Sequence, residues 1–193
     1  MKVRLLFLYV LWSMALMSCG GSGEESDVTE DVATTREGYP AGPYGLTENS
    51  KLANESFLGV DGEAFDLQSI YAQGGNRLLL LSTSAGWCTV CIEEQPKIQA
   101  LYDQYKGKGL AVVVAIIEDA NYLPAQATHA ADWKSKYDLT FDVVADSDGA
   151  LAAYYDPQLT PMNMIVDVSS MKILWLTTGW DQSTVEAILS SKL

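Results

Sequence analysis

Two cysteines separated by two residues, in Trp87-Cys88-Thr89-Val90-Cys91, are the side chains best suited to chemistry in this chain. A loop this short gains little as a structural staple, because closing it removes little entropy from the unfolded chain. Close pairs of this kind are redox sites or half of a zinc site. Zinc needs two further ligands, and beyond the pair the chain offers only Cys19 and a single histidine, His129. The chemistry left is thiol–disulfide exchange. The apolar run Leu78–Leu81 leads into the pair and a helical pattern follows it. Cys88 is thereby expected as the exposed attacker at a helix N-terminus, where free N–H groups and the helix dipole favour thiolate over thiol. A thiolate is the species that attacks a disulfide sulfur. Cys91, three residues on, shares that helix face and can resolve the mixed disulfide formed at Cys88.

The elements that must hold this pair are legible as hydrophobic patterns. Residues 56–60 and 63–67 flank Asp61-Gly62, a tight-turn signal, and predict a β-hairpin. The runs 78–81 and 110–117 are continuously apolar, as strands buried on both faces are. Between them Ile98, Leu101, Tyr102 and Tyr105 keep the 3.6-residue period of one helix face, and Gly107 and Gly109 end that helix. A second helix is expected over 123–137, a short apolar strand over 141–144, and a small helix from Asp148 to Tyr155. Strands over 162–168 and 171–177 and an amphipathic helix over 181–193, with Val185, Ile188 and Leu189 inward, complete the chain. Alternating elements of this order predict an α/β fold with a central sheet flanked by helices.

Trp87-Cys88-Thr89-Val90-Cys91 resembles the thioredoxin superfamily signature, and Ile92-Glu93-Glu94-Gln95-Pro96 strengthens the likeness. A proline five residues after the second cysteine resembles the one that kinks the first active-site helix of thioredoxin-like proteins. Pro96 cannot donate a hydrogen bond to the Ile92 carbonyl, and it bends the helix. A glutamate at the position of Glu94 is similar to that of the TlpA/ResA-like branch (redoxin, AhpC/TSA-related), which comprises extracytoplasmic, membrane-attached oxidoreductases. Thr160-Pro161 resembles the cis-proline loop that faces the cysteines in this superfamily. The resemblance spans about 56–193 and implies a thioredoxin-like fold with an N-terminal β-hairpin. It also implies a site in which Thr160 and Pro161 contact substrate, Thr160 through backbone hydrogen bonds to an extended chain; Trp87 reads as a shield for the cysteines and a flat contact for substrate, or as simple packing.

Four positions depart from the patterns of these related proteins. Ser82 stands where thioredoxin carries a buried aspartate, so the proton acceptor for Cys91 must be sought elsewhere. Glu94 is the candidate, since a partly buried carboxylate one turn from Cys91 has a raised pKa and can take its proton. The alternative is a solvated helix glutamate like Glu93. Thr89-Val90 matches neither Gly-Pro nor Pro-His, which leaves the redox potential unassigned. Ala85 stands where peroxidases of the related alkyl hydroperoxide reductase group carry a threonine, and this counts against peroxidase activity.

The N-terminus reads as an address. Lys2 and Arg4 precede the apolar run Leu5–Leu16, of signal-peptide length and too short for a comfortable membrane span. Leu16-Met17-Ser18-Cys19 resembles the bacterial lipobox, which implies a signal peptide over 1–18 and lipidation of Cys19. The other reading is an ordinary cleaved signal with an incidental cysteine. Several acyl chains give stable anchoring, and the compartment is one where disulfides persist. Gly20 at the next position favours the outer membrane of a Gram-negative cell by resemblance to lipoprotein sorting signals. Residues 19–45 are acidic and rich in Gly, Ser and Pro, and are expected to form a flexible tether spanning roughly 25–30 Å. The thioredoxin-like domain is then expected over 46–193.

The formal net charge of −13 argues against nucleic acid and anionic lipid as electrostatic partners. His129 reads as structural or solvated. Asp146-Ser147-Asp148-Gly149 lacks the later ligands of a calcium loop and reads as a turn with Asp148 capping a helix. No metal and no cofactor are expected. The reading is an extracytoplasmic thiol–disulfide oxidoreductase, monomeric, whose partners are disulfide-bearing proteins and a thiol electron donor. A peroxiredoxin-type peroxidase and a non-enzymatic binding module or metallochaperone are the alternatives.

Overall fold

The computed structural model describes residues 35–193. The signal peptide, Cys19 and the acidic part of the tether lie outside the described residues. Strands β1 (Ser56–Gly59) and β2 (Ala64–Asp66) form the expected hairpin, with Phe57 opposite Phe65. Helix α1 (Leu67–Ala72) follows, then β3 (Leu78–Ala85), α2 (Thr89–Tyr105) and β4 (Leu110–Glu118). Helix α3 (Ala127–Lys136), β5 (Asp142–Ala145), β6 (Met162–Asp167), β7 (Lys172–Thr178) and α4 (Gln182–Lys192) complete the domain. The seven strands make one mixed sheet in the order β2-β1-β5-β4-β3-β6-β7. Strands β3, β4 and β5 run parallel, and β1, β6 and β7 join antiparallel at the flanks.

The pleat sorts the central strands onto two cores. Leu78, Leu80, Val112, Val114, Ile116 and Ile165 pack with Ile98, Leu101 and Tyr105 of α2, Trp133 of α3, and Val185 and Leu189 of α4. On the other face Leu79, Leu81, Val113, Met164 and Val166 pack with Leu52, Phe57, Leu67, Ile70 and Tyr154. All eight residues of β3 are buried. The C-terminal end of this central strand therefore carries the Cys-x-x-Cys turn on a rigid base.

Several boundaries differ from the sequence expectation. Helix α3 begins at Ala127 rather than at residue 123, because Pro124 pairs back onto Glu118 as a β-bridge and Leu123 is 59% exposed. The small helix expected from Asp148 is reduced to a 3-10 turn at Ala152–Tyr154. Asp146, not Asp148, caps this corner: its carboxylate accepts from Ala150 N at 2.7 Å and Leu151 N at 3.0 Å. Part of the segment expected as tether is docked on the domain. The Arg36 guanidinium donates to the carbonyls of Tyr71 and Asn76, each at 3.1 Å. The Tyr39 hydroxyl donates to those of Leu52 and Ala53. Among the described residues no helix is long and apolar enough to cross a membrane.

Candidate active site

The turn after β3 is set by close backbone packing. A Cβ on Gly86 would lie 2.5 Å from Ala120 N and 2.7 Å from the Asp119 carbonyl carbon, so only glycine lets the 119–123 loop cross there. Cys88 N donates to Ala85 O at 3.0 Å, and Cys88 becomes the N-cap of α2 with an extended backbone. Cys88 and Cys91 form a disulfide with Cα atoms 5.3 Å apart. Cys91 N–H donates to Cys88 Sγ at 3.2 Å, so a free N–H of the helix end already points at the sulfur that would carry charge once reduced. The expectation of an exposed Cys88 needs correction: it is 3% exposed, and Cys91 is fully buried. The exposed surface of the motif belongs instead to Thr89 and to Val90, at 52%. Cys88 still retains more surface than its partner.

Trp87 forms one wall. Its Nε1–H donates to Glu118 Oε2 at 2.7 Å, and its ring stacks on Tyr122 with centroids 5.1 Å apart and planes 21° apart. Tyr122 is held at φ 63° and is 65% exposed. The loop is fixed by Asp119, whose Oδ1 accepts from Asn121 N at 2.7 Å and Leu123 N at 2.9 Å. The bond from the Leu123 amide, above all, holds the Asp119 carboxyl below its ordinary pKa. A flat aromatic pair, Tyr122 exposed and Trp87 half-buried, thus stands beside the disulfide.

The Thr160–Pro161 peptide bond is cis, and Pro161 is buried. Thr83 on β3 anchors this loop: its Oγ1 accepts from Met162 N at 2.8 Å and lies 3.5 Å from Thr160 Oγ1. Gly179 N donates to Pro161 O at 2.8 Å from the other side. The loop therefore sits at the same end of β3 as the cysteines.

Glu94 is 4% exposed. Its Oε2 accepts from Asn163 Nδ2 at 3.3 Å, and Asn163 lies opposite Ser82 in the β3–β6 ladder. Burial raises the Glu94 pKa to about 7, against the pull of the Asn163 hydrogen bond and the Lys97 charge. Glu93, one residue earlier, is solvated. Gln95 is fully buried and donates to Cys91 O at 2.7 Å and Ser84 Oγ at 3.2 Å, tying the helix end to β3.

The raised Glu94 pKa has a consequence for stability. The folded chain holds this proton more tightly than the unfolded chain, whose glutamate titrates near 4.5. The favourable contribution is complete below that value and is lost as pH rises through about 7. Above that, the buried carboxylate costs up to about 3 kcal/mol. Glu94→Gln is therefore expected to gain stability relative to the parent between pH 4 and pH 8, by up to about 3 kcal/mol. Denaturant unfolding of both oxidised chains at the two pH values measures it, and a pH-independent difference contradicts it.

His129 is remote from this chemistry in role. Its Nδ1 accepts from Gln126 N at 3.0 Å and closes the N-terminal cap of α3.

Residues 49–171 match the AhpC/TSA family. The chain belongs to that family. The thioredoxin-like protein YneN of Bacillus subtilis is 32% identical over 129 residues, covering 67% of this chain and 71% of the relative. A thiol-disulfide oxidoreductase ResA of Bacillus thuringiensis subsp. konkukian is 25% identical over 168 residues, covering 86% and 83%. The putative thiol:disulfide interchange protein DsbE of Chlorobium tepidum superposes with a TM-score of 0.60 at 22% identity, over 76% of this chain and 95% of that one. It shares the thioredoxin-like fold. This AhpC/TSA-family chain is a thiol–disulfide oxidoreductase.

Several residues of this family member's site escape a reading of the sequence. Glu118 and Tyr122 hold and extend Trp87, Gln95 fixes the Cys91 carbonyl, and Asn163 meets Glu94. Two carry a usable signal. Gln95 is one helical turn from Cys91, and Asn163 is the one polar residue in the otherwise apolar stretch Met162-Asn163-Met164-Ile165-Val166. Glu118 and Tyr122 join the site only through the crossing at Gly86, which no local pattern announces.

Proposed function

We propose that this oxidoreductase exchanges disulfides with protein substrates on the extracytoplasmic side of a membrane, anchored by acyl chains on Cys19. Reduced Cys88 attacks a substrate disulfide, and its sulfur forms a mixed disulfide as one substrate sulfur leaves as a thiolate. Glu94 takes the Cys91 proton. The Cys91 thiolate attacks Cys88 Sγ, releases the second substrate thiolate and restores the Cys88–Cys91 bond. A thiol donor returns two electrons to the pair. Trp87 and the Thr160-Pro161 loop receive the substrate chain. The single observation that carries this reading is a disulfide at the start of α2 with a buried carboxyl three residues beyond it. The names of the relatives and the lipobox-like N-terminus support the chemistry and the compartment respectively.

A peroxidase reading is less well supported, because buried Ala85 places no hydroxyl three residues before Cys88. The test is electron transfer by the full chain. After reduction by excess thiol and removal of the reductant, mixing with a disulfide-bearing protein is expected to generate two substrate thiols per chain and reoxidise Cys88–Cys91. A pair that stays oxidised in a thiol buffer able to reduce the substrate itself would make this domain a binding module instead.

A further inference from the structure

We propose that Asn163 is a positioning residue for the redox centre, its side-chain amide holding the Glu94 carboxylate in place as the base that serves Cys91. The inference rests on the proton-acceptor role given to Glu94 above.

Asn163 occupies an unusual place. It is fully buried on β6, next to Met162, Met164, Ile165 and Val166, which are also fully buried. An apolar side chain there would continue the core without leaving any polar atom to satisfy. Instead both hydrogens of one amide nitrogen are used: Nδ2 donates to Glu94 Oε2 at 3.3 Å and to Gly179 O at 2.9 Å. The other end of the amide, Oδ1, is buried with no hydrogen-bond partner. A buried acceptor left unsatisfied opposes folding, so the residue contributes through its donors. One donor ends on the carboxylate. The other ends on the turn whose amide, Gly179 N, binds Pro161 O of the cis-proline loop. A neutral amide is suited to this double task because a single nitrogen carries two N–H groups and adds no charge.

The effect on Glu94 has a definite sign. A hydrogen bond donated to a carboxylate favours the ionised form, whereas burial favours the protonated one. The other charge bearing on Glu94 is the Lys97 ammonium on the same helix; β6 faces it with Asn163, whose amide also binds the Gly179 carbonyl. Removing the amide leaves Lys97 alone against desolvation, and Glu94 is then protonated at a higher pH.

The experiment is the pH dependence of protein-disulfide reduction by the full chain in five forms: parent, Glu94→Gln, Asn163→Leu, Asn163→Asp and the Glu94→Gln/Asn163→Leu double variant. The acid limb of the parent profile is expected to move up by roughly half to one pH unit in Asn163→Leu. Asn163→Asp, nearly isosteric, guards against a packing defect and is expected to move the limb further in the same direction, because two adjacent buried carboxyls cannot both ionise readily. In the Glu94→Gln background Asn163→Leu is expected to add no shift. The proposal is overturned if both Asn163 variants keep the parent midpoint while Glu94→Gln removes the limb. It is also overturned if the Asn163→Leu shift persists without Glu94. A Glu94→Gln chain that keeps the parent profile would instead remove the base itself, and this inference with it.

Discussion

Cys88→Ala is expected to lower protein-disulfide turnover by at least about a thousandfold, the loss typical of removing a nucleophile, and to leave no covalent adduct with substrate. Cys91→Ser is expected to lose multiple turnover just as fully but to keep the first half-reaction. The asymmetry comes from the site. Cys88 caps α2, receives the Cys91 N–H at 3.2 Å and retains the little surface the pair has. Cys91 is fully enclosed, so a substrate sulfur is expected to meet Cys88 first. Rapid-quench measurement of one equivalent of substrate against each variant separates the two half-reactions. Equal single-turnover rates in Cys88→Ala and Cys91→Ser would contradict the assignment.

Glu94→Gln carries the second large effect. With its pKa raised to about 7 by burial, Glu94 divides between acid and base near neutral pH, where one group can both accept and return a proton. With Glu94 as the proposed base, the ionised form is needed in the reducing direction, and the parent rate is expected to fall as pH drops below about 7. The amide that replaces the carboxyl cannot take a proton, and the variant is expected to be slower by about a hundredfold near neutrality. Its profile is expected to lose the acid limb centred near the Glu94 pKa. The same substitution relieves the cost of a buried charge, so the less active chain is expected to gain stability relative to the parent as pH rises to 8. A variant that gains this stability yet keeps the parent rate profile would mean that Glu94 titrates in the fold without serving the chemistry.

The parts of this molecule that are legible in its sequence are those governed by local pattern. The strands β3 and β4 announce themselves through the apolar runs 78–81 and 110–117, as central strands covered on both faces do, while β3 continues through buried Ser82, Thr83 and Ser84. The β1–β2 hairpin follows from Asp61-Gly62, and the face of α2 from its 3.6-residue spacing. Short elements are not legible. Helix α1 has six residues and only Leu67 and Ile70 buried, too few to set a period. The pattern misplaces the start of α3 because Leu123 and Pro124 look like helix core, while their actual role is to pair and turn beside Glu118.

The site divides along the same line. Cys88 and Cys91 are recognisable from residue type and spacing, and the Thr160-Pro161 loop from its resemblance to the cis-proline loop of thioredoxin-like proteins. The burial of Glu94 is not, since Glu93 and Glu94 are identical in type and adjacent on one helix. What separates them is that Glu94 meets Asn163 of β6, a contact across 69 residues of sequence, while Glu93 faces solvent. The depth of Cys88 likewise depends on packing against Ala85, Trp87 and Ile117 that its own spacing does not announce.

The most direct test of the exchange mechanism is covalent trapping by the Cys91→Ser form of the full chain, incubated in reduced form with a disulfide-bearing protein and mapped by peptide mass. The mechanism predicts a thiol-labile mixed disulfide through Cys88, formed at the rate of the parent's first half-reaction and absent when Cys88 is also replaced. No adduct at Cys88, or an equal yield through Cys91 in a Cys88→Ser chain, would contradict it.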